Sequence, residues 1–171
     1  MLELIKPTAK LEKDFFDLIA EYRAKSEIFV YHDIALRSFQ EYLTEMDKSE
    51  KGIDLKPNLV AQTTFWLVED DHTIVGESRL RHALTPDLML EGGHIGYAIR
   101  PSQRLKGNGT NILKLTMLKA KEMGFDKVLV TCDKDNIGSS KIILANGGVL
   151  DGEGVSKRSQ KIVLRYWVPI V

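Results

Sequence analysis

Hydrophobic positions recur along this chain in two rhythms. Residues 2–8, "LELIKPT", alternate and predict a short strand that ends near Pro7. In residues 9–27, Leu11, Phe15, Leu18, Ile19 and Tyr22 fall at helical spacing. Residues 33–52 repeat that spacing with Leu36, Phe39, Tyr42, Leu43 and Met46, and predict a second helix running into Gly52. Residues 53–62 read as loop. Residues 63–70 and 73–84 predict an antiparallel hairpin around "DDH". Residues 85–93 read as loop, and residues 94–100 as a strand that Pro101 stops. A helix is expected over 110–123, with Gly124 just past its end. The nearly continuous apolar run at 126–133 predicts a strand covered on both faces. A short helix over 137–148, ended by Gly147, and a last strand over 160–171 complete the chain. The order is mixed α/β, with one parallel crossover from the strand at 94–100 through the helix to the strand at 127–133.

Composition narrows what such a chain can do. At 171 residues the chain fits one domain, residues 1–171, with a sizeable core. Its formal net charge is zero, which argues against a dedicated nucleic-acid binder. The single cysteine, Cys132, excludes an internal disulfide framework and a cysteine-rich zinc site. His32, His72 and His82 lack ligand spacing, so no metal is expected. There is no apolar run of membrane-spanning length and no signal-like leader, so a cytoplasmic protein without membrane association is expected.

The segment "SQRLKGNGTN", residues 102–111, sets two glycines at the entrance of a helix. Glycine there costs backbone entropy and lets the backbone come close to a partner. A helix N-terminus offers unpaired N–H groups and partial positive charge, and its natural guest is an anion, most often a phosphate. Two phosphate motifs fail: no Walker loop occurs, and the third glycine of a dinucleotide fingerprint is replaced by Ile112.

The spacing Arg104-x-x-Gly107-x-Gly109 between a strand and a helix, followed by Asn136, Ser139 and Gly147 after the next strand, resembles the GNAT superfamily of acyl-CoA-dependent N-acetyltransferases. The resemblance implies a central, mostly antiparallel sheet with one parallel, splayed strand pair and flanking helices. It implies acetyl-CoA as co-substrate. Its pyrophosphate would lie on the N–H groups of Leu105, Lys106, Gly107, Asn108, Gly109 and Thr110. Arg104 and Lys106 would add charge or remain solvated. The pantetheine arm would pair with the backbone around Tyr97 and Ile99 and pass Asn136 and Ser139. The acceptor would be a small-molecule or protein amine, bound near residues 85–92, 151–160 and the first two helices. A homodimer is compatible with this reading.

Direct acetyl transfer needs a neutral amine, a polarised thioester and a departing thiolate. The usual family tyrosine, seven residues after the Asn, is replaced by Ile143, leaving Tyr166, Tyr97 or solvent as acid. The family glutamate position falls on Gly93. Its neighbours Glu91 and His94 are then candidate bases, with Glu77 a third whose burial would raise its pKa. For His94 the competing role is a histidine satisfied within the sheet. Cys132 reads as a small core residue, Trp66 and Trp167 as core aromatics, and Arg79 and Arg81 as edge charges or contacts to an acidic substrate group. The rival function is an acetyl-CoA sensor or scaffold that has lost catalysis, a reading favoured by Ile143 and Gly93.

Overall fold

A computed structural model describes residues 1–29 and 32–170; the side chain of His32 and the expected end of the last strand at Val171 lie outside the described residues. The elements are β1 (Leu2–Ile5), α1 (Glu12–Ala24), α2 (His32–Arg37), α3 (Phe39–Lys51), β2 (Gln62–Glu69), β3 (Thr73–Arg81), α4 (Pro86–Leu90), β4 (Ile95–Ile99), α5 (Asn108–Glu122), β5 (Lys127–Asp133), α6 (Ile137–Ala145), β6 (Val149–Val155) and β7 (Ile162–Pro169). The strands form two antiparallel sheets, in the orders β1-β2-β3-β4 and β5-β7-β6. The hairpin of β2 and β3 turns through Asp70 and Asp71, both at positive φ.

Three departures from the sequence pattern have local causes. The expected helix over 33–52 is two helices. Ser38 is extended, at φ −159° and ψ 119°, and its side chain accepts from Glu41 N, which starts α3 afresh. The expected loop at 85–93 contains α4, begun by a Thr85 cap on Leu88 N and by Pro86 in the first turn. Strand β6 was not expected: its "VLDGEGV" is mostly exposed and polar or glycine-rich, and its partner β7 holds it by register.

The aromatic residues of α1 and α3 stack on Trp66 beneath the first sheet, with Phe15 5.0 Å from Trp66 and 4.9 Å from Tyr42 between ring centroids. Trp66 is fully buried there, whereas Trp167 is only partly covered. A second core, including Leu113, Val128, Val130, Ile143 and Tyr166, packs α5 and α6 against the second sheet. The two sheets are joined around Gly92 and His94, where Gly92 N donates to Thr131 Oγ1 at 2.9 Å. His94 N donates to Leu129 O at 2.7 Å, and Leu129 N donates back to His94 Nδ1 at 2.9 Å. Beyond this joint β4 and β5 share no strand pairing among the described residues, and a cleft opens between them.

Candidate active site

The loop between β4 and α5 is built by its own sequence and braced by α1. Gly107 stands at the N-cap of α5 with φ +80° and ψ −2°, a left-handed conformation that side chains resist. Among the described residues, its chain neighbours aside, no atom lies within 4 Å of where its Cβ would be, so backbone conformation and not internal crowding requires this glycine. Gly109 is different: a Cβ there would run into the side chain of Ile142 on α6. Asn108 Nδ2 donates to Gln103 O at 3.0 Å and Lys106 Nζ to Gln103 Oε1 at 3.0 Å, tying the loop to itself. Leu105, at φ +60°, projects its side chain fully into solvent.

The brace comes from carboxylates the sequence did not single out. Glu21 accepts from Arg100 Nε at 2.7 Å and from Ser102 N at 3.0 Å, and Asp14 takes Arg100 Nη1 at 3.0 Å. Glu27 holds Arg104 through two bonds of 2.8 and 2.6 Å. Arg104 also donates to Ile99 O at 3.1 Å and lies over the Tyr22 ring. Its guanidinium is therefore first a fastener of the loop, and the Glu27 carboxylate raises its pKa further. No periodicity marks Glu21 or Glu27 as functional, because their partners lie 77 to 81 residues away.

α5 opens with no side-chain cap and no acidic residue in its first turn. By contrast α3, α4 and α6 are capped by Ser38, Thr85 and Asn136, and α1, though uncapped, carries Glu12 and Asp14 in its first turn. The N–H groups of Asn108, Gly109 and Thr110 precede the first bond of the helix, from Asn111 N to Gly107 O. These donors and the positive end of the helix dipole suit a phosphate.

From this end a cleft of about 440 Å³ runs along β4, lined by Tyr97, Ile99, Arg104, Gly109, Ser139 and Ile142 among others. Arg81 N bonds to His94 O and Arg100 N to Val75 O, so the even-numbered residues of β4 bond back to β3. The N–H and C=O of Tyr97 and Ile99 accordingly face away from β3. Ile99 O is taken by Tyr22 Oη and Arg104 Nε. A second cleft of about 330 Å³ continues past Glu91, Cys132 and Asp133. Tyr97, Asn136 and Ser139 line both clefts, so they mark where the two meet. The Tyr97 hydroxyl bonds Ser139 Oγ at 2.7 Å, and burial pushes its pKa up to about 12. Asn136 Oδ1 caps α6 by accepting from Ser139 N at 3.0 Å.

The candidate bases and acids are dispersed. Glu91 lines the second cleft and accepts from Ser156 Oγ at 2.7 Å. His94 lines neither cleft. Its Nδ1 is consumed in the joint between the sheets, and burial, followed by the Arg81 charge, lowers its pKa. Tyr166 is also held elsewhere, buried in the second core with its hydroxyl 2.8 Å from Ser140 Oγ. Ile143 is buried in that same core, and the side chains α6 turns to the first cleft come from Ser139 and Ile142. The tyrosine position inferred from spacing therefore does not face the cleft. Glu77 is buried beside Tyr42, and desolvation raises its pKa to about 7 against the pull of Arg79. It lines neither cleft. Cys132 lines the second cleft as a thiol whose pKa burial lifts to about 11. Among the described residues no group of three His, Cys, Asp or Glu could hold a metal ion, and no helix is long and apolar enough to cross a membrane.

Comparison with known proteins bears on this arrangement. A family model described as an acetyltransferase (GNAT) domain matches residues 2–149. No curated protein sequence matches the chain. Solved structures do. A ribosomal-protein-S5-alanine acetyltransferase from Vibrio fischeri is 16% identical, with a TM-score of 0.72 over 99% of this chain and 93% of its own. An acetyltransferase from Salmonella typhimurium that modifies the N-terminal serine of ribosomal protein L7/L12 is 14% identical, with a TM-score of 0.70 over 99% and 95%. The microcin C7 self-immunity acetyltransferase MccE, in complex with acetyl-CoA and AMP, is 16% identical, with a TM-score of 0.69 over 99% and 92%. At these identities the likeness is one of fold.

Proposed function

The chain belongs to the acetyltransferase (GNAT) family, and from that premise we propose that residues 1–171 act as one N-acetyltransferase unit. It moves acetyl from acetyl-CoA to a primary amine by direct attack in a ternary complex. The observation that carries this reading is the uncapped, acid-free N-terminus of α5 at the head of a cleft that follows the open edge of β4. The N–H groups over residues 105–110 hold the pyrophosphate. The pantetheine arm runs along the β4 edge at Tyr97 and past Asn136 and Ser139. The thioester then comes to the meeting point of the two clefts, and the amine enters through the second.

The nitrogen attacks the thioester carbon, its proton leaves, and the carbon–sulfur bond breaks to release CoA. Glu91, at the wall of the second cleft, takes the amine's proton directly or through water. Tyr97 serves the sulfur as a hydrogen-bond donor. A phenol with a pKa of about 12 stays protonated but does not surrender its proton to a thiolate, whose own pKa is roughly 8.5. Cys132, kept protonated, is a poor nucleophile, which favours direct transfer over an acyl-enzyme.

Release of free thiol from acetyl-CoA against a panel of primary amines tests the proposal. Turnover with at least one amine is expected. Binding of CoA with no thiol release from any amine would favour a sensor instead. The kcat profile should rise with pH as the amine loses its proton and then level off. Because the Tyr97 pKa is raised, no falling limb is expected below about pH 10. An alkaline limb that disappears in Tyr166→Phe would return the acid role to Tyr166.

A further inference from the structure

Three guanidinium groups gather on the acceptor side of the cleft. Arg79 and Arg81 are two residues apart on β3, so their side chains leave the same face of the sheet. Opposite them β4 carries Gly96. A Cβ at Gly96 would lie 3.8 Å from Arg79 Nη2 and 3.9 Å from Arg81 Nη1, so both guanidiniums occupy the space above that glycine. Arg81 is steadied by bonds of 2.9 and 3.0 Å to the carbonyls of Gly92 and Gly93. Arg79 is steadied by Glu77 Oε1, 3.8 Å from its Nε. Arg158 comes from the turn between β6 and β7, where Ser156 Oγ accepts from its N–H at 3.2 Å.

These three arginines line a pocket of about 190 Å³ together with Ser49, Asn58 and Gln62, and no carboxylate is among its described lining residues. The same three also line the second cleft, which meets the acetyl-CoA cleft at Tyr97; there Glu91 lies 3.8 Å from Arg158 Nε and Asp133 adds a second carboxylate, so the uncompensated arginine wall is that of the smaller pocket. A concave wall of one charge sign raises the local concentration of the opposite sign. It also repels a second ammonium on the acceptor. Planar guanidiniums suit the paired oxygens of a carboxylate or phosphate.

We infer that the acceptor is an amine bearing an anionic group, carboxylate or phosphate, which seats among Arg79, Arg81 and Arg158 while its amine points to Tyr97. The inference rests on the acetyltransferase reading and adds the substrate class to it.

Two matched pairs of acceptors test it: β-alanine against β-alaninamide, and O-phosphoethanolamine against ethanolamine. In at least one pair the anionic member should exceed its partner in kcat/KM by about tenfold or more. The pair that responds distinguishes carboxylate from phosphate. Arg158→Gln replaces a side chain that is 80% exposed, so the fold should tolerate it. It should shrink the preference at least about fivefold, and Arg79→Gln should do so more strongly. Neutral members preferred in both pairs, or a preference that Arg158→Gln leaves intact, would overturn the inference while the acetyltransferase reading stands. If no amine of any kind is turned over, that reading fails. Calorimetric titration of β-alanine and O-phosphoethanolamine then decides the arginine pocket separately. Binding weakened by Arg158→Gln supports it, and absence of binding, or binding indifferent to the variant, overturns it.

Discussion

α6 begins beneath a side chain of its own sequence, with Asn136 Oδ1 accepting from Ser139 N, whereas α5 begins at a left-handed glycine with no cap and no acid in its first turn. Both ends border the same cleft. The contrast separates two uses of one helix terminus. A helix end closed by its own chain contributes stability, about 1 kcal/mol for a good N-cap. A helix end left open contributes little to the empty protein and keeps its donors and dipole for an anion. The bracing of the preceding loop by Glu21 and Glu27 fits the second use, since it fixes residues 100–104 and leaves the N–H groups of the first turn of α5 untouched.

The strongest way to break the comparison is Gly109→Val. The new side chain meets Ile142 and also enters the cleft that Gly109 lines, so two losses are expected together. Overpacking should lower stability by about 1–3 kcal/mol, and acetyl-CoA affinity should fall at least about tenfold, or roughly 1.4 kcal/mol. Adding Ile142→Ala sorts them. The melting temperature should recover while calorimetry still reports weak binding. If the double variant regains full affinity, Gly109 serves packing alone and the open end of α5 loses its role.

A smaller effect is expected at the closed end. Asn136→Ala should cost about 1 kcal/mol of stability and Asn136→Ser only a few tenths, measured by denaturant unfolding. Should Asn136→Ser instead raise the KM for acetyl-CoA at unchanged stability, α6 also touches the ligand and the two helices differ less than their caps suggest. The smallest change is Asn111→Asp, an isosteric exposed substitution that puts a carboxylate in the first turns of α5. It should stabilise the helix by about 0.3–1 kcal/mol, while acetyl-CoA affinity drops a few-fold at low salt and less at high salt. Opposite signs for stability and binding are what an anion site predicts. A variant that gains or loses both would refute it.

How much of this was legible beforehand depended on how local the cause was. The hairpin of β2 and β3 and the helices α5 and α6 follow from neighbouring residues, and the pattern announced them, whereas the left-handed turn at Gly107 came from the structure. Ser38 followed by Glu41 is itself a helix-start signal, masked by the apolar spacing that continues across it. No such signal existed for β6, whose glycines and acids suit a loop until β7 supplies its hydrogen bonds.

The site divides along the same line. By itself the sequence determined that a helix would open behind a glycine loop after a strand, because dihedral preference and apolar period act within a few residues. Which side chains reach the cleft was decided only by the tertiary structure. His94 finds its partner at Leu129, 35 residues on, and becomes a joint between sheets; Arg104 finds Glu27, 77 residues back, and becomes a brace. Ile143 turns into the core while Tyr97 stands where two clefts meet. Those outcomes depend on how α1 and the two sheets dock, and hydrogen bonds across such separations have no period for a sequence to display.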